Sequence, residues 1–163
     1  DLDLPARIEE ALARHGVPPE SLTVEITEDF VLGNLDRART VLDGLRDLGV
    51  TIAIDDFGSG YSALYYLREL PIDEVKLDRS FIAPVTEDPR AAAIVRSVID
   101  LSHTLGLRTV AEGVETAAVA DELARYGCDV AQGHYYSHPL STSDLLVLLA
   151  KPPRIRLTSG SLR

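Results

Sequence analysis

Apolar positions along the chain fall into two alternating rhythms, one of helical spacing and one of short continuous runs, with a step of about 30 residues, the size of a strand-plus-helix unit. Leu35, Ala38, Val41, Leu42, Leu45 and Leu48 recur at helical spacing behind Asn34 as a candidate cap, and Gly49 stops that helix before a strand over Val50–Ile54. The next helix is predicted from Asp88 as cap and Pro89 at its first position. It carries Ile94, Val95, Val98, Leu101 and Leu105 to Gly106, and Leu107–Ala111 follows as a strand. From Thr116 through Val119, Leu123 and Tyr126 to Gly127 the pattern repeats, with a short strand over Cys128–Ala131 behind it. Leu22–Ile26 and Glu74–Leu77 read as two further strands, and Pro5–His15 and Ser143–Ala150 as helices. Alternation of this kind predicts a parallel sheet with helices packed outside it. Residues 1–150 form the expected domain, and the segment from Lys151 to Arg163, with two prolines and then basic and small polar residues, reads as a tail or linker.

Polar residues at the strand ends sharpen this expectation. Glu25, Asp55 with Asp56, Lys76, Glu112 and Gln132 each lie at the end of a predicted strand. In a parallel barrel the carboxyl ends of the strands form the active face, so five such strands gather these groups at one mouth. A doubly wound open sheet instead places phosphate-binding glycines after its first strand, and no Gly-x-Gly-x-x-Gly occurs here. Barrel geometry is therefore favoured. Asp55 and Asp56 are adjacent and run into Phe57-Gly58-Ser59-Gly60-Tyr61. Two carboxylates this close repel one another unless a cation lies between them, so the pair points to a divalent metal site.

Composition narrows the partners. At 163 residues one domain is expected, and a net charge of -10 with pI near 4.8 disfavours a nucleic-acid polymer, whose phosphates call for a basic face. An acidic protein that handles phosphate needs cations between the two negative partners. The single cysteine, Cys128, excludes an internal disulfide and fits a reducing compartment. With no apolar run near the length of about 20 residues that spans a bilayer, a soluble cytoplasmic segment without membrane contact is expected.

Taken singly, these features have plain explanations. Glu25 alone suits a cap or ion pair, the Asp55-Asp56 pair suits a turn, and Lys76 with Asp78 suits a cross-sheet ion pair. Glu112 and Glu115 flank Gly113 and suit the start of the next helix, and Cys128 suits apolar filling. Jointly they are harder to explain away. Val24-Glu25-Ile26-Thr27-Glu28, Ile54-Asp55-Asp56-Phe57-Gly58-Ser59-Gly60-Tyr61-Ser62, Val75-Lys76-Leu77-Asp78-Arg79-Ser80-Phe81, Val110-Ala111-Glu112-Gly113-Val114-Glu115 and Ala131-Gln132-Gly133 closely resemble, in order and spacing, the signatures of the EAL-domain cyclic di-GMP phosphodiesterases, over about Asp3 to Leu140. The resemblance implies a TIM-like (β/α)8 barrel that hydrolyses one phosphodiester bond of cyclic di-GMP to the linear dinucleotide, with Mg2+ or Mn2+ in a two-metal site.

Carried over by position, the resemblance makes Glu25 and Asp55 ligands of a first metal, with Asp55 bridging to a second that Asp56 also holds. It makes Lys76 the residue that orients water or neutralises developing charge, and Glu112 a further carboxylate that binds metal or accepts a proton. Gln132 becomes a rim residue positioning the attacking water or the metal-bound network. Glu28 resembles an anchor of the loop after Asp56, linking that loop to dimerisation, and Asp78 and Glu115 resemble supporting residues.

The family's Glu-Ala-Leu strand, the arginine after it and an asparagine ligand have no counterpart here, since Glu10-Ala11-Leu12 falls inside an amphipathic helix. The expectation is an incomplete barrel of about five parallel strands, a fragment whose metal site is weak or empty and whose turnover alone is negligible. Its edges would be hidden by association with another copy. The alternative is a degenerate module that binds cyclic di-GMP or a protein partner without catalysis. His134 and His138 depart from the residues usual in the family and are expected in ordinary rim roles.

Overall fold

A computed structural model describes residues 1–27, 35–55, 57 and 67–150. Its elements run α1 (Leu4–His15), β1 (Thr23–Ile26), α2 (Leu35–Asp47), β2 (Thr51–Ile54), β3 (Glu74–Leu77), α3 (Arg79–Ile82), α4 (Pro89–Thr104), β4 (Arg108–Ala111), α5 (Ala117–Tyr126), β5 (Val130–Ala131) and α6 (Thr142–Leu149), with short 3-10 turns at Pro19–Ser21 and Ala83–Thr86. The strands form one parallel sheet in the order β1-β2-β3-β4-β5. Sequential parallel strands with helices between them are the order of a TIM-like barrel. Among the described residues the sheet is not closed, in keeping with the incomplete barrel expected from the sequence.

Local chemistry explains the elements. Asp88 accepts a hydrogen bond from the Arg90 amide at 2.8 Å and Pro89 starts α4, while the Thr116 hydroxyl caps α5 by accepting from the Val119 amide. Helix α5 ends at Gly127 with φ 82°, a left-handed conformation open to glycine at little cost. In the strands, alternate positions face opposite sides. Ile52 and Ile54 of β2, Val75 and Leu77 of β3, and Ala111 of β4 join Val41, Leu42 and Leu45 of α2, Val95 and Ile99 of α4, and Leu123 of α5 in one buried core. The other face of the sheet carries Glu25, Lys76, Glu74 and Arg108, the side that a barrel turns inward.

Several boundaries differ from the sequence reading. Leu22, Val50 and Leu107 enter the core or its margin without joining the ladder, so β1, β2 and β4 each begin one residue later than predicted, and β5 begins at Val130 rather than Cys128. Helix α3 and the turn after it were not anticipated. Asp78 caps α3 through the Ser80 amide, and four residues are too few to show a helical period. Glu10 sits mid-helix in α1, paired with Arg14 at 2.6 Å, so Glu10-Ala11-Leu12 is part of a helical surface and not a strand motif. Asn34, Glu28, Asp56 and the tail from Lys151 lie outside the described residues. Among the described residues, no helix is long and apolar enough to cross a membrane.

Candidate active site

Four neighbouring strands deliver polar side chains to one place. The Lys76 ammonium lies 2.7 Å from Glu25 Oε2, 2.7 Å from Glu112 Oε1 and 3.3 Å from Asp55 Oδ1, joining β3 to the ends of β1, β4 and β2. Lys76 is only 7% exposed, against 48% for Glu25 and 25% for Glu112. Burial works against its charge, but the hydrogen bonds it donates to Glu112, Glu25 and Asp55 outweigh that and raise its pKa above the ordinary lysine value. The lysine is therefore a fixed cation at neutral pH. Strand register places it there. Lys76 pairs with Val110, two positions before Glu112, and Ala53, two positions before Asp55, pairs with both Glu25 and Glu74.

A cavity of about 530 Å³ opens beside this cluster, lined by Glu112, Gln132, Arg79, Glu115, His134 and His138 among others. Arg79 pairs with Glu115 at 3.0 Å, which fixes a positive charge on the wall, and the rings of His134 and His138 lie 4.3 Å apart at the rim. Two loops are zipped together to make the cavity. Val114 donates its amide to Gln132 O at 3.0 Å, Tyr135 donates to Val114 O at 3.0 Å, and Gln132 donates to Ala111 O at 2.8 Å. Glycine is obligatory in this zipper. A Cβ on Gly133 would stand 2.1 Å from the Val114 carbonyl oxygen, and one on Gly113, at φ 69°, would stand 2.6 Å from Arg79 Cβ.

Of the residues singled out in the sequence, Glu25, Asp55, Lys76 and Glu112 meet directly, and Gln132 shares the cavity wall with Glu112. Asp78 does not reach the cluster through any observed ion pair. It accepts from Ser80 N at 2.8 Å, which draws its carboxyl below the usual range, and Glu115 holds Arg79. Thr116, not Glu112 or Glu115, caps the following helix. Arg79 was missed as a wall residue, although its place directly after Asp78 at the end of a strand was a usable signal.

An all-oxygen, anionic donor set gathered around one cationic centre suits a hard divalent ion. Among the described residues, no group of three or more His, Cys, Asp or Glu side chains is poised to hold a metal on its own. Asp56, the second half of the acidic pair, falls outside that description.

A parallel, barrel-type sheet with a lysine and carboxylates at the carboxyl ends of its strands has the layout of a barrel domain whose active face lies at those ends. Comparison with known proteins makes that class specific. The family profile described as "EAL domain" matches residues 1–139, and the chain belongs to the EAL-domain family. The bifunctional diguanylate cyclase/cyclic di-GMP phosphodiesterase MucR of Pseudomonas aeruginosa is 43% identical over 143 residues, covering 88% of this chain and 21% of MucR. The crystal structure of the EAL domain of Mycobacterium smegmatis DcpA superposes with a TM-score of 0.86 at 44% identity, covering 91% of this chain and 66% of that one. BlrP1 of Klebsiella pneumoniae, in a manganese/cy-diGMP complex, superposes with a TM-score of 0.79 at 36% identity, covering 84% of this chain and 35% of that one. The chain spans about one fifth of the length of the curated relatives it matches. Family members thus act as cyclic di-GMP phosphodiesterases, and the fold is the TIM-like barrel of the EAL domains.

Proposed function

We propose that this domain serves in the metal-dependent hydrolysis of one phosphodiester bond of cyclic di-GMP, giving the linear dinucleotide. The observation that carries the reading is the Lys76 ammonium held by carboxylates from three neighbouring strands. Glu25, Asp55, Asp56 and Glu112 would hold Mg2+ or Mn2+, which when bound polarises a phosphoryl oxygen and acidifies water. The chain's own residues do the rest. Lys76 neutralises charge that develops on the phosphate in the transition state. Glu112, three-quarters buried beside it, accepts a proton, and the Gln132 amide orients water at the rim. Arg79, tied back by Glu115, offers positive charge to a phosphate in the cavity. Glu28, Asp78 and Glu115 act in support: Glu28 on the loop after Asp56, Asp78 by capping α3, and Glu115 through Arg79.

Residues 1–163 alone turn over negligibly in this reading, because Glu25, on the outermost strand among the described residues, is half solvated and a hydrated ligand holds a cation weakly. In the same reading the chain associates with a second copy through β1 and β5, the outermost strands among the described residues, and the apolar surface of α6. A cleavage assay with Mn2+ tests both parts. A polypeptide carrying a complete EAL domain around this sequence should produce linear dinucleotide and lose that activity with Lys76→Met or Glu112→Gln, whereas residues 1–163 should not sustain turnover. Binding of cyclic di-GMP without cleavage by the longer polypeptide would replace the hydrolase with a regulatory binding module.

A further inference from the structure

The ladders of this sheet are unequal. Pairs β1–β2 and β3–β4 each match four positions, but β2–β3 matches only Ala53 with Glu74 and Ile54 with Val75, and β4–β5 only Val110 with Val130 and Ala111 with Ala131. At the amino end of each short ladder an aspartate takes over. Asp73, immediately before β3, accepts the Ile52 amide at 3.0 Å through Oδ2 and faces Arg46 Nε at 3.8 Å through Oδ1. Asp129, immediately before β5, accepts the Thr109 amide at 2.8 Å and the Thr109 hydroxyl at 2.9 Å, with His103 Nε2 2.9 Å away, all through Oδ2. The two arrangements are copies of one device. In each, a basic residue at the end of a helix stands six positions before the strand amide, and the aspartate that opens the next strand holds both.

We propose that Asp73 and Asp129 are register pins, positioning residues that set where Lys76 and Gln132 stand along the strand axis relative to Asp55 and Glu112. Backbone bonds extend both short pairs, from Asp73 N to Ile52 O and Phe57 N to Lys76 O and from Gln132 N to Ala111 O, but the Ile52 and Thr109 amides are held by the aspartate side chains, and a slip of one residue moves a side chain by about 3.3 Å and to the opposite face. A carboxylate bonded to a strand amide is a charge-assisted bond, stronger than the ladder bonds it replaces. Each pin lies at the amino end of the pair whose carboxyl end carries site residues, so one end fixes the other. Pinning itself is independent of the hydrolase reading, and only its consequence for the reaction rests on that reading.

Amide hydrogen exchange followed by NMR on the full chain tests the idea. Asp129→Ala should lower the protection of the Gln132 and Val114 amides by about tenfold or more. The Phe57 amide, which donates to Lys76 O at 3.2 Å across β2–β3, should keep its protection. Asp73→Ala should give the converse pattern. Should either alanine variant fail to fold, Asp129→Asn, Asp73→Asn and Thr109→Val, close in shape to the native side chains, should show the same pair-specific losses at smaller amplitude, and His103→Arg, which copies the Arg46 arrangement, should preserve protection at Gln132. Uniform loss across both strand pairs, or unchanged exchange at Gln132 and Phe57, overturns the pins. Exchange reads strand register whether or not the chain cleaves anything, so pinned strands without turnover would leave this inference standing while the hydrolase reading fell.

Discussion

Lys76 is the residue on which the site turns, because its one ammonium bridges three carboxylates at the strand ends. Lys76→Met leaves Glu25, Asp55 and Glu112 facing one another, at a cost of about 2 kcal/mol after allowing for their partial exposure, measurable as a lower urea midpoint. Added Mn2+ should return part of that loss in the variant. The raised lysine pKa also fixes a sign. A group whose pKa is higher folded than unfolded contributes its full stabilisation below the unfolded value, about 10.4, and loses it as pH rises through the folded one. The stability gap between wild type and Lys76→Met should therefore be flat from pH 7 to about 10 and shrink above that. Ser102 is a contrasting case. Its hydroxyl is buried in α4 with no hydrogen-bond partner among the described residues, so Ser102→Ala should raise stability by about 1 kcal/mol in the same melts. Cys128 is held as a thiol, its pKa pushed up by burial, and should react slowly with alkylating reagents at pH 8 until the chain is unfolded. Strand-end groups such as Glu25, Lys76 and Glu112 were legible in the sequence because each breaks an apolar run. Asp73 and Asp129 were not, since an aspartate before a strand looks like any turn residue until its partner, 21 or 20 positions away, is known.

At the scale of elements, the weakest strand carries much of the cavity. Strand β5 has two residues, yet its continuation holds Gln132 and zips Gly133 against the Val114 backbone. Gly133→Ala forces a methyl group into that backbone, and the loop has to move away. The expected outcome is loss of the Val114–Gln132 and Tyr135–Val114 bonds, seen as amide shifts confined to both loops, with a stability loss of about 1–3 kcal/mol. Helix and strand identities were readable because capping residues and apolar periods agreed, as with Asp88-Pro89 and Thr116. Boundaries were less so. Val50 and Leu107 are as apolar as any strand residue and nearly as buried, so hydrophobicity extends past the point where the ladder begins.

At the scale of the whole molecule, α6 is the most exposed apolar element among the described residues. No residue of α6 is buried, and Leu146 and Leu149 are 63% and 70% exposed, beside Tyr135, Tyr136 and Leu140 on the same stretch of chain. Exposed apolar surface of this extent is the kind that mediates association, in keeping with the proposed self-association. Gel filtration with light scattering should give a dimer or larger species that dissociates with Leu146→Glu and Leu149→Glu, and a compact monomer at micromolar concentration would remove that proposal. The sequence carried the barrel class through the spacing of its strand ends, while the unequal ladders became visible only once register was known. At the centre stands the claim that Glu25, Asp55 and Glu112 converge, with Lys76, on a divalent-cation site. Paramagnetic broadening by Mn2+ in NMR spectra of the chain tests it most directly. Broadening concentrated on the amides of Ile26, Asp55, Leu77 and Glu112, and lost when Asp55 and Glu112 are both changed to alanine, is the predicted result. Broadening spread over the acidic surface of α1, α2 and α5, with those strand-end signals sharp, would contradict it.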